Sequence, residues 1–131
     1  DGTLREGSGR VKLGSGAFEG AYSFSSRFEK GQGTNPEELL GAAHAGCYSM
    51  ALSSNLGKAG FAPQRVHTTA KVTTEPVDGK NRITGIHLET EVSAPSITDA
   101  QFQEIAETVK GGCPVSVALA SVPMTLTARL V

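Results

Sequence analysis

Asn35-Pro36-Glu37-Glu38-Leu39-Leu40-Gly41-Ala42-Ala43-His44-Ala45-Gly46-Cys47-Tyr48-Ser49-Met50 is the stretch on which the fold turns. Asn35 suits an N-cap and Pro36 the first helical position. Glu38 stands three residues after the cap, from where a carboxylate bonds back to it. Glu37 is left without a local task. The helix is predicted to run to about Ala59, with Gly60 as its stop. Its side chains are apolar nearly all round, which predicts a long, buried central helix. Gly41, Ala42, Ala43, Ala45, Gly46 and Ala51 let other backbones come close. Such packing is a reason to accept glycines that each cost about 1 kcal/mol against alanine inside a helix.

On the N-terminal side, Arg10–Leu13 and Ala21–Phe24 alternate polar with apolar and read as short strands, with Gly14-Ser15-Gly16 as a turn. On the C-terminal side, Val66–Val77 alternates: Val66, Thr68, Ala70, Val72 and Thr74 face one way, His67, Lys71 and Glu75 the other. Asp78-Gly79 signals a hairpin. Ile86, Leu88, Thr90 and Val92 form the inner face of the return strand, which Pro95 ends. Thr98 and Gln101 make a capping box, and Phe102, Ile105, Ala106 and Val109 one apolar helical stripe. Gly111-Gly112 is expected to break that helix. Cys113-Pro114 starts another, ending near Ala120. Pro123 precedes a last strand with Met124, Leu126, Ala128 and Leu130 inward. The predicted order is β-β-α-β-β-α-α-β, an α+β fold in a single domain spanning 1–131.

The chain has 131 residues, 38% of them hydrophobic and 19% charged, within the globular range. Twelve basic and 13 acidic residues leave a net charge of -1, which attracts neither nucleic acid nor an anionic membrane. No apolar run approaches the roughly 20 residues of a membrane span. The opening Asp1–Glu6 lacks the apolar core of a secretory signal. The chain therefore reads as cytoplasmic, where a standing structural disulfide is not expected. So few strands cover an all-round apolar helix poorly, which points to a dimer that buries it jointly.

Cys47 and Cys113 are the only two cysteines. A cysteine in an apolar helix is ordinarily inert packing. Two charged residues upstream of Cys47, Arg27 and Glu37, change its context, because a guanidinium beside a sulfur favours the nucleophilic thiolate. Cys113 follows a glycine pair and precedes a proline, so it reads as the N-cap of its helix. Free N–H groups there also favour an anionic sulfur. A redox pair and plain packing both fit, and no spacing proves that the two sulfurs meet. His44, three residues before Cys47, lies on roughly the same helix face. It reads as a partly buried histidine bonded to a neighbour, or as a tuner of the thiolate. Cys47, His44 and Cys113 have no zinc-ligand spacing. His67 and His87 fall on outward strand faces. Tyr48, Met50, Phe24 and Phe28 read as packing or as lining for an apolar substrate.

Arg27-Phe28-Glu29, then Gly33-Thr34-Asn35-Pro36-Glu37-Glu38 through Ala51-Leu52, resembles the osmotically inducible protein C (OsmC) branch of the OsmC/Ohr family. Gly112-Cys113-Pro114-Val115-Ser116 resembles the family's second cysteine motif, and the likeness covers nearly the whole chain. It implies an OsmC-like fold in an intertwined homodimer with two active sites at the subunit interface. It also implies a stress-response thiol peroxidase acting on organic, and also inorganic, hydroperoxides. By the same resemblance Cys47 is the peroxidatic cysteine, Cys113 the resolving one, Arg27 the active-site arginine and Glu37 the carboxylate that orients it. The Ohr branch places its arginine in an earlier Gly-rich loop, so Arg10 competes with Arg27. The implied cycle runs through a sulfenic acid on Cys47 and a disulfide with Cys113, which a dithiol or lipoylated reductant reopens. It needs no metal or organic cofactor.

Glu37 and Cys47 stand ten residues apart on one predicted helix, about 15 Å along its axis. If both serve one reaction, the Arg27–Glu37 pair comes from the partner subunit. Two other classes of function compete with the enzyme: a redox-sensing or thiol-binding module without turnover, and a structural stress protein whose cysteines only pack.

Overall fold

A computed structural model describes all residues, Asp1–Val131. The chain divides into two compact units, Asp1–Leu40 and Gly41–Val131.

In the first unit, β1 (Ser8–Lys12) pairs antiparallel with β2 (Glu19–Ser23), Val11 opposite Gly20. The second strand stops one residue short of Phe24. A short helix, α1 (Phe24–Phe28), begins there instead of the expected strand end. The cause is a serine capping box. Ser23 Oγ accepts from the Ser26 N–H at 3.1 Å, and Ser26 Oγ accepts from the Ser23 N–H at 2.8 Å. Ser26 Oγ also donates to Thr34 O at 2.7 Å, tying the helix to the segment that leads into α2. Gly33 in that segment has φ +118°, and a Cβ there would lie 2.6 Å from Ala21 O, so both backbone and space demand glycine.

Helix α2 (Pro36–Lys58) starts as expected, with Asn35 Oδ1 accepting from the Glu38 N–H at 2.7 Å. The Glu38 carboxylate does not return to the cap. It accepts from Thr34 Oγ1 at 2.6 Å.

In the second unit, α2 continues to a glycine stop. Gly60 has φ +90°, the Phe61 N–H donates to Leu56 O at 2.8 Å and the Gly60 N–H to Gly57 O at 3.0 Å. This is a Schellman closure. Gly41, His44, Tyr48, Leu52 and Leu56 form one buried stripe at helical spacing. The expectation of burial all round fails for the single chain: Ala42, Ala43, Gly46 and Met50 are exposed, Met50 by 77%. The sheet and the other helices supply core partners along one side only.

Strands β3 (Arg65–Val77) and β4 (Lys80–Ser93) form the expected hairpin. Asp78 (φ 52°) and Gly79 (φ 75°) turn it, both left-handed as a two-residue hairpin loop requires. β5 (Met124–Leu130) joins β4 in parallel, Leu126 opposite Leu88, so the sheet order is β3-β4-β5. Central β4 buries Ile86, Leu88, Thr90 and Val92. Its outer side is solvated, crossed by the Lys71–Glu89 and Arg129–Glu91 ion pairs.

Helix α3 (Asp99–Gly112) opens on the Thr98–Gln101 capping box and buries Phe102, Ala106 and Val109. It does not break at Gly111-Gly112. Both glycines stay helical, and the chain turns extended at Cys113 (ψ 146°), the residue that Pro114 keeps out of the helical region. α4 (Pro114–Ala118) follows, ending two residues before the expected Ala120. The observed order is β-β-α-α-β-β-α-α-β, an α+β chain with one more short helix than expected. Tyr48, Leu52, Leu56, Leu88, Val92, Phe102 and Ala106 are wholly buried in the core. Each large apolar side chain so buried contributes about 1.5–3 kcal/mol.

Candidate active site

Cys113 ends one helix and begins the next. Its N–H donates to Val109 O at 3.0 Å, and its Sγ accepts from the Ser116 N–H at 3.4 Å. The same sulfur donates to Ser116 Oγ at 3.1 Å, and Ser116 Oγ stands 2.7 Å from His44 Nε2. All three residues are buried, His44 completely. His44 Nδ1 is buried without a hydrogen-bond partner. Burial holds the imidazole below its ordinary 6.5, which favours the neutral ring.

Cys47, one turn beyond His44, is half-buried and packs against the core cluster that contains Cys113. Both cysteines are free thiols. Tyr48 next to it donates to Ala106 O at 3.0 Å. Burial, with smaller contributions from Glu107 and Cys113, pushes its phenol up, so it remains a neutral donor.

In the first unit, Glu37 is given the task that local sequence did not supply. Arg27 Nη2 donates to its Oε1 at 2.6 Å, and Arg27 Nε lies 3.1 and 3.2 Å from the two carboxylate oxygens. Such a forked grip is specific to a guanidinium and fixes the planes of both groups. Arg27 also lies over the Phe28 ring, 5.1 Å from its centroid. Arg10, the competing arginine, pairs instead with Glu19 at 3.2 Å across the β1–β2 hairpin, both side chains well exposed. Leu4, Tyr22, Phe24, Arg27, Phe28 and Pro36 help line a cavity of about 230 Å³ in this unit.

Arg27 thus meets Glu37, and Cys113 and His44 both meet Ser116, so the histidine is bonded to a neighbour as expected. Ser116 was not singled out, although it stands three residues after the N-cap cysteine, where a side chain can meet the cap. His67 is exposed as expected. His87 is not merely solvated: it is half-buried and bonds Thr125 and Thr127 on β5.

Residues 29–127 match the family described as OsmC-like protein. The chain is 49% identical over 117 residues to Peroxiredoxin OsmC of Escherichia coli (strain K12), covering 88% of this chain and 82% of that one. The same figures hold for Peroxiredoxin OsmC of Shigella flexneri. Among solved structures, a putative organic hydroperoxide resistance protein from Vibrio cholerae O1 biovar eltor, with captopril bound, superposes with TM-score 0.75 at 21% identity. That match covers 99% of this chain and 88% of the other. The organic hydroperoxide resistance protein OhrB of Bacillus subtilis gives TM-score 0.72 at 19% identity, covering 100% and 93%. These structures share the fold. This chain belongs to the OsmC family.

No helix is long and apolar enough to cross a membrane.

Proposed function

We propose that the chain reduces organic hydroperoxides through a two-cysteine cycle on Cys47 and Cys113. Its class, a thiol-dependent peroxidase, follows from the family and from the 49% identity to Peroxiredoxin OsmC. The observation that carries the residue-level reading is the Arg27–Glu37 fork. A guanidinium fixed by a carboxylate is a rigid cationic surface. Placed at a sulfur, it stabilises the thiolate and polarises an incoming peroxide.

The steps balance. The Cys47 thiolate attacks the distal peroxide oxygen, the O–O bond breaks, and the departing alkoxide takes a proton to leave as an alcohol. Cys47 is left as a sulfenic acid, which a thiol can trap. Cys113 supplies that thiol, forming a disulfide and releasing water. A dithiol, free or lipoyl-borne, reduces the disulfide by exchange.

The whole chain, 1–131, acts as one OsmC-like domain in an intertwined homodimer in the cytoplasm. The open face of α2, with Ala42, Ala43, Gly46 and Met50, supports this pairing, since small residues admit a second helix closely. The ten-residue separation of Glu37 and Cys47 along α2 favours an active site in which the Arg27–Glu37 pair of one subunit serves Cys47 of the other.

The test is turnover of cumene and t-butyl hydroperoxide with dithiothreitol or dihydrolipoamide as reductant. Catalytic consumption that disappears in Cys47→Ser is expected. Stoichiometric oxidation without turnover would mark a sensor and refute the enzyme.

A further inference from the structure

Ser116 joins a thiol to an imidazole 72 positions away in sequence from the serine. Its Oγ accepts from Cys113 Sγ at 3.1 Å and lies 2.7 Å from His44 Nε2. With the thiol as donor, the proton order runs S–H to Oγ, then O–H to an unprotonated Nε2. In the other tautomer the order reverses, Nε2–H to Oγ and O–H to Sγ; a thiol that keeps its proton and donates it to Oγ selects the first order. In that order the chain of hydrogen bonds starts on a thiol and ends on a neutral base, the form that burial of His44 favours. It is sealed from solvent: Cys113 is 2% exposed, Ser116 3% and His44 0%. His44 Nδ1 is left unpartnered inside the protein, a cost that a packing residue of similar size would not incur.

We propose that Ser116 and His44 form a proton-accepting relay for the resolving thiol of Cys113. The inference rests on the two-cysteine reading and deepens it. As Cys113 Sγ attacks the sulfenic sulfur of Cys47, its proton passes to Ser116 Oγ while the serine proton passes to His44 Nε2. The S–S bond forms as the S–O bond breaks, the electron pair of the latter leaving with oxygen. The Cys47 sulfur is reduced and the Cys113 sulfur oxidised, each by one electron equivalent. The departing hydroxide recovers the proton back along the relay and leaves as water. Burial holds the His44 imidazole below its ordinary 6.5, which suits a transient acceptor that gives the proton back. Ser116 touches the reacting sulfur and is a catalytic residue in this step. His44 acts through it and is a positioning residue.

The experiment follows the first turnover of the full chain with one equivalent of cumene hydroperoxide. Peroxide consumption reports Cys47 oxidation. Dimedone trapping with mass spectrometry reports surviving sulfenic acid against the Cys47–Cys113 disulfide. In His44→Gln and in Ser116→Ala, disulfide closure is expected to slow at least tenfold. The Cys47 dimedone adduct should accumulate, and Ser116→Thr, which keeps the hydroxyl, should restore closure. Ser116→Ala removes one oxygen and keeps the test open if the histidine variant misfolds. Closure at the wild-type rate in both variants, or a matching loss of peroxide consumption and closure in Ser116→Ala, overturns the relay while leaving the peroxidase intact. A wild-type chain that consumes peroxide and forms no Cys47–Cys113 disulfide overturns the two-cysteine reading, and the relay with it.

Discussion

Arg27 grips Glu37 edge-on, with its Nη2 2.6 Å from Oε1 and its Nε within 3.2 Å of both carboxylate oxygens. The Arg27 side chain is 36% exposed and that of Glu37 12%. With the guanidinium still open to water, screening holds the contribution of the pair to folding to about 1 kcal/mol. Its value lies in the direction it imposes on the guanidinium.

That contrast is measurable. Arg27→Lys keeps the charge and loses the fork, and Glu37→Gln keeps the shape and loses the anion. Both should lower kcat/KM for cumene hydroperoxide by about 10²–10³, the cost of losing one oriented electrostatic group. Their thermal midpoints should stay within a few degrees of wild type. Equal losses of activity and stability would reduce the pair to a structural tie.

Placing the arginine in trans has its own test. Cys47→Ser chains mixed with Arg27→Ala chains by unfolding and refolding should regain roughly a quarter of wild-type activity, since half the dimers are mixed and each carries one whole site. Activity no higher than that of the separate variants would refute it.

Met50, 77% exposed on the open side of α2, should be covered if the chain pairs as proposed. Met50→Asp buries a carboxylate there and should shift the assembly to monomer, read by light scattering at micromolar concentration. An unchanged mass would show that the helix pairs by another face or not at all.

The buried histidine also predicts how stability depends on pH. The His44 ionisation is held below 6.5 by burial, with the Ser116 hydroxyl against its ring and the nearby Tyr48 phenol neutral. On acidification the unfolded chain takes up this proton first, so it binds more protons than the folded chain and stability rises with pH in this window. Urea titrations should therefore show stability falling as pH drops below about 6.5, with a shallower fall in His44→Gln. Identical slopes would mean that His44 is readily protonated in place.

Much of this was legible in the chain itself. The β3–β4 hairpin announces itself by strict alternation around Asp78-Gly79, and α2 by Asn35-Pro36 at one end and Gly60 at the other. These are local signals, each fixed by backbone chemistry within a few residues. What escaped has a different origin. Phe24 and Phe28 looked like strand and packing because apolar side chains carry no period over five residues, yet the Ser23/Ser26 cap sets a helix there. The glycine pair before Cys113 looked like a break, but Pro114 decides where the helix stops. How far α2 is covered could not be read from its composition, since that depends on what surrounds it. The Arg27 and Glu37 assignments came from resemblance, and the structure supplies the contact between them. The His44–Ser116 contact bridges distant segments, and nothing local announces it.

In the proposed cycle Cys113 is both a redox group and a fastener of the backbone: its sulfur receives the N–H of Ser116 in the first turn of α4. A disulfide that turned this sulfur toward Cys47 would draw the fastener away, so oxidation would unlatch the α3–α4 corner and reduction would latch it again. The chemical state of one atom would then be audible in the mobility of a whole joint, and a reductant could tell a spent enzyme from a ready one by shape before any electrons move.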